Sequence, residues 1–298
     1  MAIQIQSASF VIEDVDCNQG CKFCVARMTF SPKVKEFDEE KYLKKMKRVL
    51  KYVKSGGAQT AIITSKGETL LSSKSYLLKA IGLLEKDFGQ IDLHTNGSLL
   101  TREMAESFYD AGLTNITLSV PSLDKDSLVS ITEGFVDYKN IIAFCRNVGL
   151  AVRLSCVTNK QGVKDLDSML EYIEKAKLMG AHQIVFRELW IPENSKKNNP
   201  EVYKWSKENF VPLGKFREYV ELLNEEGKAH YIFTLPWGEK VYDIEGMNIT
   251  CATCTTNYYN SGSCGDDSTN VSNTIKSVVL LPDGHLYSSW ELGGSMIF

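Results

Sequence analysis

Along the first two thirds of the chain, short runs rich in β-branched residues alternate with stretches whose apolar residues recur every three or four positions. The runs cover residues 10–15, 60–64, 91–95, 116–120, 152–157 and 184–187. Between the first two, Tyr42, Leu43, Met46, Val49, Leu50 and Val53 form one apolar stripe over residues 37–54, with lysines on the opposite face. Gly56-Gly57 follows, where a helix end wants positive φ. The same periodicity predicts helices over 75–88, 102–111 (Thr101 as cap, Gly112 at the end), 138–147 and 165–179. Six strand–helix repeats predict parallel strands joined by right-handed crossovers. The fold class expected is α/β, a partial (β/α)6 TIM-like barrel with its chemistry at the C-terminal ends of the strands.

Side-chain parity adds to this. Thr117 and Ser119 share one strand face, and Ile116, Leu118 and Val120 the other; Arg153, Ser155 and Asn159 oppose Val152, Leu154 and Cys156. The apolar faces belong under the helices, so the polar ones look into the barrel, where they are costly unless something polar fills the lumen. A ligand along the barrel axis is expected. After Trp190 the pattern changes. Residues 191–212 read as a polar loop, followed by a helix over 215–226, a strand over 230–235, and a hairpin of 276–281 and 285–290 around Pro282-Asp283-Gly284. Two units are expected: a barrel over 1–212 and a small C-terminal extension over 213–298.

Composition narrows the class. Of 298 residues, 43% are hydrophobic and 24% charged, a globular balance that excludes a disordered chain. Lys+Arg numbers 34 against Asp+Glu 37, a net charge of -3, so stable nucleic-acid binding is not expected. No apolar run spans a bilayer, and the first residues lack a signal peptide's basic and apolar regions, so a cytoplasmic protein is expected. Eight cysteines fall at 17, 21, 24, 145, 156, 251, 254 and 264. Two clusters of three suit metal binding better than a secreted disulfide scaffold. Cys145 and Cys156 fall on apolar faces and read as core.

Cys17-Asn-Gln-Gly-Cys21-Lys-Phe-Cys24 closes the first strand. Three thiolates suit a 4Fe–4S cluster with one iron left for a non-protein ligand. Three cysteines plus a distant His would instead hold zinc. The C-x3-C-x2-C spacing with an aromatic before the last Cys resembles the radical S-adenosylmethionine (SAM) superfamily, as does the strand order over roughly 9–190. That resemblance implies SAM chelated to the open iron, reductive cleavage to a 5′-deoxyadenosyl radical, and hydrogen abstraction from a substrate carbon. It also implies site roles. Lys66-Gly67-Glu68 stands where the family usually has Gly-Gly-Glu, so Gly67 and Glu68 would meet the SAM amino group. Thr95-Asn96-Gly97 matches the family's Thr-Asn-Gly. Ser119, Arg153 and Asn159 would contact SAM ribose or carboxylate, and Phe23 would lie beside the adenine.

The second cluster, Cys251, Cys254 and Cys264, resembles the short "twitch" form of the SPASM extension, which implies an auxiliary 4Fe–4S cluster. A zinc knuckle with His285 is the alternative. The GTP cyclase family of molybdenum-cofactor biosynthesis has this arrangement, and its middle region is similar to residues 118–124 and 157–165. Two departures point away from GTP. Ser288-Ser289 stands where that family has a cysteine after the Asp-Gly hairpin, and its Arg-Gly-Gly tail is missing. The resemblance favours a peptide or amino-acid-derived substrate, then a nucleotide or sugar, with flavodoxin or ferredoxin as reductant. Only about eight residues precede the first strand, so a leader peptide would need another surface or partner. His94, and Arg187 with Glu188, are candidate substrate contacts or rim residues. A zinc-stabilised, non-enzymatic binding protein is the reading from a different class.

Overall fold

The computed structural model describes residues 4–12, 16–29, 37–192, 195–252, 274–290 and 295–297. Six strands follow the expected order: β1 (Gln4–Val11), β2 (Thr60–Thr64), β3 (Gln90–Thr95), β4 (Asn115–Ser119), β5 (Ala151–Val157) and β6 (Gln183–Arg187). Each pairs in parallel with the next. Helices α1 (Glu39–Ser55), α2 (Lys74–Leu84), α3 (Arg102–Asp110), α4 (Lys125–Thr132), α5 (Tyr138–Val148) and α6 (Leu166–Met179) make the crossovers. Their starts are fixed locally. Asp38, Ser73, Thr101, Asp124, Asp137 and Asp165 each accept a hydrogen bond from a first-turn amide, worth about 1 kcal/mol per cap.

The sheet extends beyond these six strands at both ends. Its order is β11-β10-β1-β2-β3-β4-β5-β6-β9-β8-β7, where β7 is His230–Thr234, β8 Lys240–Ile244, β9 Met247–Ala252, β10 Thr274–Leu280 and β11 Leu286–Tyr287. β9 lies parallel to β6, and β10 parallel to β1, so eight consecutive strands run in one direction. The predicted hairpin is present, β11 pairing antiparallel with β10. The described part of 213–298 therefore builds the same sheet as the barrel. Where the two ends of the sheet approach each other, Lys276 Nζ on β10 lies 2.8 Å from Glu239 Oε1, whose other oxygen accepts from Trp237 Nε1 at 2.7 Å. Lys276 also stacks over the Trp237 ring.

One expectation is corrected, and one hairpin joins that the sequence reading did not contain. Residues 200–209 form a helix, α8 (Pro200–Asn209), after the short α7 (Ser195–Asn198), rather than a loop. Its buried positions are Val202, Ser206 and Asn209, helically spaced but two of them polar, so no apolar stripe marks it. β8 and β9 are also strands, joined by a tight turn in which Glu245 and Gly246 both have positive φ. That backbone usually carries Asn-Gly or Asp-Gly, which hid the hairpin. The helix at 215–226 is α9 (Leu213–Glu225).

The core lies between strands and helices. Phe10, Ile63, Leu93, Leu118, Leu154, Phe186 and Ile249 face Tyr76, Phe108, Ile142, Met169 and Phe216, with Cys145 and Cys156 fully buried among them. Buried tyrosines also fasten helices to strand ends: Tyr76 donates to Ile12 O (2.7 Å) and Tyr42 to Leu280 O (3.1 Å). Among the described residues no helix is long and apolar enough to cross a membrane.

Candidate active site

The loop after β1 carries three free thiols, Cys17 exposed, Cys21 and Cys24 half-buried. It rests on the C-terminal end of α4: Gly20 N donates to Thr132 O and Lys22 N to Ile131 O. A Cβ at Gly20 would meet the end of the exposed Glu133 side chain, which would have to swing aside. Burial pushes the Cys21 thiol up to about 12, and nearby Cys24 and Cys17 push the same way. Among the described residues no three His, Cys, Asp or Glu side chains converge on a single ion site. A cluster needs no such convergence, because each thiolate binds its own iron.

The loops after β2 and β3 are fastened to each other through one carboxylate. Glu68, only 2% exposed, accepts from Leu70 N (2.9 Å) and the Thr95 hydroxyl on Oε1, and from Asn96 N (2.7 Å) on Oε2. Its own backbone N–H reaches Asp16 O at 3.3 Å. Burial raises the Glu68 pKa, while Thr95, Asn96 and Leu70 pull it down. Asn96 continues the chain of contacts. Its Nδ2 donates to Asn18 Oδ1 (2.9 Å) and approaches Cys17 Sγ at 3.9 Å, while Asn18 Nδ2 donates to Ser98 Oγ (2.8 Å). Gly97, at φ 81, lets the backbone turn under Leu118 and Ile141. The structure thus brings Cys17, Glu68, Thr95 and Asn96 together.

The remaining candidates are placed as follows. Gly67 makes the bend before Glu68. Lys66, in place of the family's first glycine, stacks its ammonium 5.5 Å over the Trp290 ring. Ser119 is exposed at the end of β4, its carbonyl accepting from Tyr138. Phe23 sits 6.3 Å from Trp205 of α8, ring to ring. Arg153 points inward as parity predicts, but lower in the barrel, where it grips Asp92 Oδ2 (2.6 Å) and Gln183 Oε1 (2.9 Å). Asn159 is fully buried and spends its amide on its own turn, donating to Val157 O and accepting from Gln161 N. Neither is brought to the cysteine loop by any of these bonds. Arg187 donates to Ser155 Oγ (3.0 Å) rather than pairing with Glu188, which accepts from Leu213 N. Cys251 lies at the end of β9 on the helix-facing side, its thiol pushed up to about 12 by burial. Cys254 and Cys264 lie outside the described residues.

Asp92, at 1% exposure, was not read from the sequence. Burial would raise its pKa, but His94, Arg153 and the Thr117 hydroxyl outweigh that and hold it down at about 2. Its signal was available: an inward parity position flanked by Arg153 and His94 on the same polar face.

The rim of this parallel barrel carries three loop thiols, a buried glutamate and an Asn-Gly turn, and thiols are the donors an iron–sulfur cluster takes. Residues 15–173 match the Radical SAM superfamily, and the chain belongs to it; the family uses a 4Fe–4S cluster and SAM. The chain is 30% identical over 169 residues to a GTP 3′,8-cyclase of Aliarcobacter butzleri, covering 55% of this chain and 50% of the relative. It thus spans about half the length of that curated relative. Among solved structures it is similar to Streptococcus suis SuiB bound to S-adenosylmethionine, with a TM-score of 0.65 and 12% identity over 99% of this chain and 63% of that one. SuiB bound to its precursor peptide SuiA gives a TM-score of 0.63 and 13% identity over 96% and 60%. At that identity the likeness concerns the fold.

Proposed function

We propose that the protein is a radical SAM enzyme that abstracts a hydrogen atom from a substrate carbon in the barrel lumen. The observation that carries this reading is the chain of bonds from Glu68 through Asn96 to Cys17. It aligns three loops of the C-terminal rim around the cysteines. Cys17, Cys21 and Cys24 fit a 4Fe–4S cluster by donor chemistry: three free thiols on one loop and no fourth ligand within the motif. When bound, the cluster supplies the electron that cleaves SAM. The chain's own residues hold the loops: Glu68 fixes the turn at 95–97, and Gly67, Ser119 and Phe23 stand around the opening as SAM contacts. Arg153, tied to Asp92, and Asn159, tied to its own turn, are better placed to stiffen the barrel than to grip SAM. This revises the roles that the resemblance gave them.

The lumen lining of His94, Ser155 and Arg187 favours a substrate with an anionic group, which suits a peptide or amino-acid-derived molecule. A nucleotide is the second reading, favoured by the 30% identity to a GTP 3′,8-cyclase. A 213–298 extension holding an auxiliary cluster through Cys251, Cys254 and Cys264, and a flavodoxin or ferredoxin as reductant, complete the proposal. Anaerobic reconstitution followed by SAM and dithionite tests it. About eight irons per chain and release of 5′-deoxyadenosine are expected, and Cys17→Ala, Cys21→Ala or Cys24→Ala should abolish the release. Stoichiometric zinc with no SAM cleavage would refute it.

A further inference from the structure

Among the described residues three buried side-chain polar atoms lack a hydrogen-bond partner: Gln19 Nε2, Trp205 Nε1 and Ser206 Oγ. Gln19 lies inside the cysteine motif, between Cys17 and Cys21. Its carboxamide stands between two neighbours. On one side the Cys21 thiol donates to Oε1 at 3.7 Å. On the other is the Gly134 backbone, where even a Cβ would come within 3.4 Å of Nε2. A buried amide with its acceptor used and its donor idle is unusual, because an orphaned N–H costs about 1–3 kcal/mol.

In this arrangement the sulfur is the donor, the amide oxygen the acceptor, and the amide nitrogen is idle. A sulfur bound to iron carries no proton, so its donation to Gln19 disappears and two electron-rich atoms are left facing each other. A half-turn about the last side-chain torsion exchanges oxygen and nitrogen in nearly the same volume. It turns the idle N–H onto the sulfur and leaves a carbonyl toward Gly134, where a missing partner is more readily tolerated than for an N–H. Resting on the cluster reading above, we propose that Gln19 is a positioning residue of the cluster: its side-chain amide donates to the ligating sulfur of Cys21 and raises the cluster's reduction potential. Hydrogen bonds to cluster sulfurs draw electron density from the irons and favour the reduced state.

The test is an EPR-monitored redox titration of the reconstituted full chain, following the signal whose line shape responds to added SAM. Gln19→Leu removes the donor, and Gln19→Glu keeps the shape but offers only acceptors. Both should lower the midpoint, by about tenfold in the reduction equilibrium for Gln19→Leu (about 59 mV for one electron) and by more for Gln19→Glu. Iron content identifies any variant that fails to assemble, and the other then decides. Midpoints equal to wild type in the assembled variants would overturn the role of Gln19 while leaving the cluster reading intact. A wild-type protein that takes up no cluster would overturn the cluster reading itself.

Discussion

Replacing Glu68 by Gln tests whether one ionised carboxylate holds the rim together. The side chain keeps its shape but loses its charge and one acceptor. Glu68 now receives three donors on two oxygens. In the glutamine, one of the two atoms becomes NH2 and must face either the Asn96 amide or the Leu70 amide and Thr95 hydroxyl. Leaving one buried donor unsatisfied costs about 1–3 kcal/mol, and the remaining bonds fall from charge-assisted strength toward about 1 kcal/mol each. Relief from burying a charge offsets part of this, which leaves about 2 kcal/mol of net destabilisation. With a urea m-value of about 3 kcal/mol per M, the midpoint of the reduced apoprotein should fall by about 0.7 M. Anaerobic urea titration monitored by circular dichroism measures it, with iron uptake as a second readout. If Glu68→Gln unfolds at the wild-type midpoint and loads iron normally, the carboxyl is protonated in the folded protein and does not hold the rim by charge.

Other outcomes follow from the barrel interior and its seam. Asp92→Asn leaves the half-buried Arg153 against a neutral partner and should cost about 3 kcal/mol in urea unfolding, the low end of the range for breaking one side of a buried pair. The Asp92 carboxyl sits at about 2 against 3.8 for an ordinary Asp. Its charge therefore adds stability that is complete above about pH 4 and lost as pH falls toward 2, about 2 kcal/mol in all. In acid titrations the gap between wild type and Asp92→Asn should narrow over that window, and a constant gap would contradict the pairing. Lys276→Met removes the ammonium beside the buried Glu239 carboxylate, which keeps its bond from Trp237, and should cost about 2 kcal/mol, whereas Lys276→Met with Glu239→Gln should recover part of that loss in a double-mutant cycle. Tyr76→Phe removes one buried hydrogen bond to Ile12 O and should lower stability by about 1–2 kcal/mol.

The barrel was legible because its strands and helices differ in period, and because parity separates Arg153 and Ser155 from Leu154 and Cys156. The rim was legible in part. Cys17, Glu68 and Asn96 were singled out one by one, and the structure links them by hydrogen bonds, but no spacing reveals that Glu68 binds the backbone of residues 70 and 96. For Arg153, parity gives a face and not a height along the strand: it points inward as read, and there it meets Asp92. The local bonds of Asn159 were not legible from parity, although an Asn just past a strand readily closes its own turn. α8 escaped notice because Ser206 and Asn209 occupy buried positions where an apolar stripe would carry aliphatic residues. The β8–β9 hairpin was hidden by Glu245, a residue that seldom adopts positive φ.

The strand that flanks β1 on its outer side comes from the far end of the chain: the hydroxyls of Ser9 and Ser277, 268 positions apart, lie 3.0 Å from each other. A nascent polypeptide emerging from the ribosome must therefore wait until residues 274–280 are made before that flank of its first strand is matched. Until then a row of unmet amides and carbonyls lies open to pairing with other chains. Release short of residue 274 would leave that flank permanently bare, so trimmed forms should tend to aggregate even with the cysteine loop and its supporting turns intact.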